Sequence, residues 1–311
     1  MLFRKLIIPL SLLITLNLEA QDSVSVTPKQ VANKGRVWLV AGSQAVLWTG
    51  SLIALNKAWY ANYPRESFHF FNDWSEWQQM DKMGHLWTTY QISRVSGDIW
   101  RWTGINEKKA VWLGGVSGLA YQSIIEILDG FSSKWGFSWG DMSMNIAGAA
   151  TYVSQQLIWK DQRIQIKFSY FPYNYPPEFT ARANDLFGEG GLERILKDYN
   201  SQTYWLNANL RSFIPQSRIP RWLNISIGYN ARLMLGGTEN VWTDENGTEI
   251  DRSDVERYRR FFLSVDVDLT RIQTKKKWLK SVFSLFNSIK VPAPALEWNT
   301  RGQFIFHGIY F

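Results

Sequence analysis

The 311 residues contain no cysteine. This excludes disulfides, a thiolate nucleophile and a thiolate metal site, and leaves no residue that could carry a lipid on an N-terminal cysteine. Histidine is scarce, with only His69, His85 and His307. No metal-ligand motif surrounds His69 or His307, so a multi-histidine site would need convergence from distant parts of the chain. No serine-nucleophile motif, phosphate loop or dinucleotide fingerprint occurs, and the glycines at 114, 115 and 118 read as helix-packing positions. No nucleic-acid module is present either. The chain does hold 45% apolar residues, enough for a folded protein, and 17 tryptophans. Tryptophan suits a membrane interface, sugar stacking or an aromatic-rich core. The formal charge of +7 is dispersed, as on a solvated surface or one facing an anionic envelope.

Residues 1–20 read as a signal peptide, with Arg4 and Lys5 ahead of an apolar run and a small residue, Ala20, before a polar segment. Export follows from that reading. Residues 21–35 read as a flexible lead. From 36 to 160 the pattern is helical. The uncharged run Val37–Leu55 could cross a bilayer or serve as a buried bundle helix. An aromatic loop over 61–80 precedes expected helices at about 81–102, 108–128 and 141–160. Over 161–311 the period becomes two, with strands expected at 163–170, 203–214, 222–235, 259–271 and 301–311. A short helix is expected near GGLERILKDYN, and a basic amphipathic stretch at KKKWLKSVFSLFNSIK. The expected fold class is α+β, an N-terminal bundle of about four helices followed by a C-terminal antiparallel β-sheet or partial outer-membrane-type barrel. Long strands with one apolar and one polar face match outer-membrane strands, but five or six are too few for the smallest single-chain barrel. The other reading is a sheet whose apolar face packs on the helices.

Chemistry concentrates between residues 81 and 145. Asp81 and His85, and Asp141 and Asn145, are four apart; Glu126 and Asp129 are three apart. On helices each pair shares a face. As an enzyme, the chain would use His85 as general base or metal ligand. Glu126 or Asp129 would orient it or complete a divalent-metal site of His85, Glu126 and Asp129. Asn145 and the start of the helix at Asp141 would hold an anion or oxyanion, and Lys82 and Arg94 would meet a phosphate. A hydrolase or transferase of an envelope lipid or glycan fits that chemistry. As a structural protein or adaptor, Asp81 and Asp141 would be helix caps. His85 would then be a core residue, Glu126–Lys134 an ion pair and Arg94–Asp98 an i,i+4 pair. A small transporter or pore lined by the polar strand faces is a third reading.

The runs MDKMGH and IIEILDGFSSKWGFSWGDMSMNIAG resemble the YfiM-type family of uncharacterised envelope proteins, labelled predicted periplasmic lipoproteins. Later segments, LKDYNSQTYWLNANL, RWLNISIGYNA, VPAPALEWN and the FHGIYF end, extend the resemblance over most of 60–311. It implies the periplasmic or outer-membrane side of a Gram-negative envelope, with an envelope lipid or envelope protein as partner, and no activity. The missing lipidation cysteine departs from the family label. A shorter similarity to VanZ-like membrane proteins rests on Asp81-Lys82-Met83-Gly84-His85, Glu126 and Asp141…Asn145, and implies a helical bundle.

Overall fold

The computed structural model describes residues 32–60, 63–244 and 246–311. The expected signal peptide and nearly all of the expected lead lie outside them, although Lys34 and Gly35 already belong to the first helix. Four long helices come first: α1 (Lys34–Leu55), α2 (Met80–Trp102), α3 (Glu107–Asp129) and α4 (Trp139–Trp159). The second half holds β1 (Ile164–Tyr170), α5 (Pro177–Phe187), α6 (Gly191–Lys197), β2 (Gln202–Asn209), α7 (Leu210–Phe213) and β3 (Leu223–Arg232). A small hairpin of β4 (Val241–Thr243) and β5 (Glu249–Asp251) follows, then β6 (Tyr258–Val267), α8 (Lys277–Phe286), β7 (Ala293–Asn299) and β8 (Phe304–Tyr310). The chain is α+β, with one six-stranded antiparallel sheet in the order β1-β2-β3-β6-β7-β8 and no closed barrel.

Small residues let α2, α3 and α4 approach closely. A Cβ on Gly114 would stand 2.6 Å from the Ser93 carbonyl, and one on Gly118 2.6 Å from that of Thr89. On α4, a Cβ on Gly148 would meet the Leu86 carbonyl at 2.5 Å. Helix α1 is different: only Val40 is buried, against Trp100 and Ala110. Trp38, Leu39, Val46, Leu47 and Ile53 stay exposed. By length and composition alone, α1 and α3 are each apolar enough to cross a membrane.

The sheet buries its polar face. Gln165, Lys167, Asn207, Ser226, Asn230, Arg260, Asp266 and Glu297 are buried, while Leu206, Ile227, Leu263, Leu296 and Phe306 are exposed. Curvature makes this possible. In the sheet β1 and β6 are three places apart, about 14 Å if flat, yet Lys167 Nζ of β1 lies 2.6 Å from Asp266 Oδ2 of β6. The hydroxyls of Thr203 on β2 and Tyr310 on β8 are 3.3 Å apart. The concave face thus encloses ion pairs such as Lys167–Asp266 and Arg260–Glu297, as buried charge requires, beside the aromatic cluster of Trp205, Phe262 and Tyr310. The outer edge of β1 makes a single parallel bridge to Ile289.

Two features differ from the sequence-based expectation. The apolar face packs on the bundle only in part, through Ile166 against Tyr90 and Tyr152 and Tyr204 and Ala231 against Met80. The remaining apolar face is open. Strand β7, helix α5, the β4–β5 hairpin and α7, which ends the strand expected over 203–214 at Asn209, were not expected as elements. Pro292 and Pro294 disguise the start of β7, because proline argues against a paired strand, and Pro176–Pro177 disguise the start of α5, where proline fits the first turn.

Candidate functional site

The site is built at the end of the bundle where α2 and α4 begin and α3 ends. Trp77, Gln78 and Gln79 enter α2 with left-handed backbone, φ 48°, 48° and 62°. Side chains rarely adopt that conformation, and it persists only where the surroundings impose it. Here strands β3 and β6 and the loop after β3 impose it. Trp77 N donates to Gly237 O at 2.7 Å, the Tyr229 hydroxyl to Gln78 O at 2.5 Å, and Arg259 to Gln79 Oε1 at 2.7 Å. Helix α2 then presents Asp81, Lys82 and His85 from its first turns. Helix α4 starts with a capping contact in which Asp141 N donates to Ser138 Oγ at 3.0 Å.

Around Lys82 three carboxylates gather. Its ammonium is 2.7 Å from Asp73 Oδ2, 2.7 Å from Asp141 Oδ1 and 3.4 Å from Asp81 Oδ2. His85 stands beside this cluster with its two ring nitrogens in different company. Nδ1 faces Asn145 Oδ1 at 3.2 Å and Glu126 Oε1 at 3.4 Å. Nε2 faces Asp81 Oδ1 at 3.9 Å and Asp141 Oδ1 at 3.8 Å, too far for hydrogen bonds. When the ring is neutral, the oxygens on the Nδ1 side favour the tautomer with the proton on Nδ1, leaving the Nε2 lone pair aimed between two carboxylates. Asp81, His85 and Asp141 offer one ligand atom each within 4.8 Å of one another. Gln122 approaches Nδ1 at 3.5 Å, and Thr89 donates to Asn145 Oδ1 at 2.9 Å. Asn145 Nδ2 is buried without a hydrogen-bond partner.

The electrostatics are uneven. Burial opposes ionisation of Asp81, but the charges of His85 and Lys82 and the Tyr199 hydroxyl, 2.6 Å from Oδ1, hold it below the usual carboxylate range. Burial pushes Glu126 up to about 8, against the pull of His85. Burial and then the Asp81 charge push Asp141 up, with Lys82 opposing. The Asp81 and His85 side chains keep 26% and 14% of their surface exposed, so the cluster is reachable from that side, while Glu126 is 1% exposed.

Asp81, His85, Glu126, Asp141 and Asn145 therefore come together. Asp129 does not join His85: it accepts from the Tyr60 hydroxyl at 2.6 Å, and burial pushes it up to about 6. One turn of α3 separates the two acids, so Asp129 is not gathered with His85 and Glu126; the His and carboxylate atoms that gather within 4.8 Å are those of Asp81, His85 and Asp141. Lys82 is buried under carboxylates and presents no free charge to a phosphate. Arg94 donates to Ser284 and Gln91, at the other end of α2. Asp98 pairs with Arg101 instead of Arg94. Glu126 accepts from Ser138 N, while Lys134 lies over the Tyr63 ring. Helix α4 is capped by Ser138, not Asp141, and the N-cap position of α2 is Gln79, not Asp81, with no side-chain capping bond. Asp73, Ser138, Gln122, Thr89 and Tyr199 were not anticipated. Ser138-x-x-Asp141 is a capping pattern legible in sequence; Tyr199, 118 residues from Asp81, left no local signal.

Residues 69–156 match the family described as "Predicted periplasmic lipoprotein (DUF2279)". They contain every member of the cluster except Tyr199. The match supports an exported envelope protein and does not reach the YfiM-type or VanZ-like likeness. The lipoprotein part of the description finds no cysteine among these residues to act on. No curated protein and no solved structure matches the chain.

Proposed function

We propose that Asp81, His85 and Asp141 bind a divalent metal ion, and that the chain is an envelope hydrolase or transferase whose reaction uses it. The observation that carries this reading is the division of labour on His85. Nε2 points into a gap between two carboxylate oxygens 3.9 and 3.8 Å away, while Nδ1 is oriented by Glu126 and Asn145. A metal-ligating histidine is held in this way by a carboxylate or carbonyl on its other nitrogen. One imidazole with two carboxylates suits zinc or manganese, and a bound ion would supply an activated water. With Nε2 on a metal His85 would relay no proton, so the role of Glu126 is to hold the ring through Nδ1. The class of substrate, an envelope lipid or glycan, follows from the envelope location. The outer membrane is the proposed site within it.

A structural or adaptor role is the second reading. Lys82 among three carboxylates favours it, since the ammonium already offsets much of the negative charge. A pore is less well supported, because the polar strand faces are occupied by pairs such as Lys167–Asp266.

Titration of chelator-treated protein with zinc and manganese separates the first two readings. One ion per chain is expected, lost in His85→Ala and Asp81→Asn, with Glu126→Gln weakening affinity by about 10–100-fold. If the wild-type protein takes up no ion and His85→Ala only lowers the melting temperature, the cluster is a folding network.

A further inference from the structure

We infer that the outer face of β3, β6, β7 and β8 lies against the hydrocarbon of a lipid bilayer, and that one lipid–water boundary runs at the level of the Asp81–His85 cluster. The outward residues are sorted by depth. Cross-strand partners Tyr229, Phe261, Trp298 and Phe304 form an aromatic row, with Phe261 stacked on Trp298 at 5.4 Å. Two residues further along each strand, the partners are Ile227, Leu263, Leu296 and Phe306. Beyond them lie Ile225 and Val265, then Leu223 and Val267. The band from Phe261 to Val267 is about 20 Å high at the usual strand rise, close to the apolar belt of outer-membrane strands. Ile227 is 60% exposed, Phe304 73% and Phe306 71%, a contiguous surface larger than scattered apolar residues make.

Lipid is the occupant because the face is graded along one axis and charged at one end. At the end away from the aromatic row the chain leaves β6 and continues into the segment 272–290. Its first part, 272–280, has four lysines and no acidic residue, and Lys275, Lys276 and Trp278 in it are exposed, whereas Lys290 at the end of the segment is buried. Lysines beside an apolar belt complement anionic headgroups. A second copy of the chain would instead bring another lysine-rich rim. Aromatic side chains favour the boundary between headgroups and hydrocarbon, and the aromatic row occupies the cluster's end of the sheet. The Tyr229 hydroxyl bonds Gln78 O and Arg259 bonds Gln79, three and two residues before Asp81. On the other side of the cluster, Phe70 stacks on Trp139 at 6.1 Å. Both rings are exposed, and Ser138, beside Trp139, bonds Asp73 of the cluster. Exposed aromatics from two separate elements thus flank the carboxylates, at headgroup level. The lipid face is independent of the metal reading; only the consequence that the site would meet an amphiphile at its headgroup rests on it.

The cysteine-free chain permits single-site labelling. Leu263→Cys, Phe304→Cys and Lys276→Cys, each spin-labelled, would be reconstituted into vesicles of equal phosphatidylcholine and phosphatidylglycerol. The label at 263 should be open to oxygen and closed to a water-soluble nickel chelate, and the labels at 304 and 276 open to the chelate. A label at 263 as open to nickel as that at 304 would overturn the proposal. So would a label closed to both reagents on a particle of doubled mass, which means a second copy covers the face. Replacing Lys275, Lys276 and Lys280 together by Glu should weaken flotation with these vesicles about tenfold or more; unchanged flotation would remove the anionic headgroup from the proposal. His85→Ala, carried in parallel, should keep the wild-type depth pattern whether or not the metal reading holds.

Discussion

Glu126 is the residue whose chemistry most exceeds its place in the chain. A carboxyl at the end of an apolar helix ordinarily turns to water. Here it is sealed between His85 and the Ser138 amide and held up to about 8 by burial. The folded protein therefore binds a proton that the unfolded chain, with an ordinary glutamate near 4.5, has released. Stability from this group is complete below about 4.5 and is lost as pH rises towards 8. In chelator-treated protein, the melting temperature of Glu126→Gln relative to wild type should rise across that window; a parallel pH course for the two proteins would show that Glu126 does not carry the slope. Ser138 has a simpler role. It caps α4 and donates to Asp73 at 2.5 Å. Ser138→Ala should cost about 1 kcal/mol in denaturant unfolding and free Asp73 from one of its two partners.

At the scale of elements, the bundle depends on glycines where helices cross. Ser93 O stands 2.6 Å from where a Cβ on Gly114 would be, with Gly97 Cα at 2.8 Å. Backbone cannot yield as a flexible side chain can. Gly114→Val should lose about 1–3 kcal/mol, read as a lower melting temperature, whereas Gly42→Ala on α1, with open space around it, should not be destabilising. In the sheet the analogous element is the β1–β6 contact. Lys167 and Asp266 are both fully buried, and Lys167 is further held by Asn287 and the Val267 carbonyl. Asp266→Ala leaves a buried ammonium without its counter-charge and should cost about 3–5 kcal/mol. A smaller loss for Asp266→Asn than for Asp266→Ala would identify the hydrogen bonds as the greater part.

For the whole molecule, polar networks are enclosed beside buried apolar clusters, and extensive apolar surface is left outside. The helical bundle encloses a carboxylate–lysine–histidine cluster, the curled sheet encloses a polar network, and apolar surface is left on the sheet and α1. The tryptophans share in that outer surface: Trp205 is fully buried, but Trp38, Trp74, Trp112, Trp139, Trp222, Trp278 and Trp298 are exposed. An aromatic-rich core therefore does not account for their number.

The four long helices, their order and most strands follow from the sequence by itself, because hydrophobic periods of 3.6 and 2 are local properties. Spacing likewise put Asp81 with His85 and Asp141 with Asn145 on common faces, since four residues make about one turn. Three things were decided only by tertiary structure. Asp129 went to Tyr60 while Glu126 went to His85, because three residues along a helix end leave two side chains beside different neighbours. Asp73 and Tyr199 joined the cluster, and Lys82 took carboxylates instead of the expected phosphate, through contacts between distant segments, which no periodicity records. The side of the sheet that is buried was open as well: alternation marks two faces as different, and the choice between them rests on curvature, which brings Lys167 to Asp266 and Thr203 to Tyr310 and so lets the polar face satisfy itself.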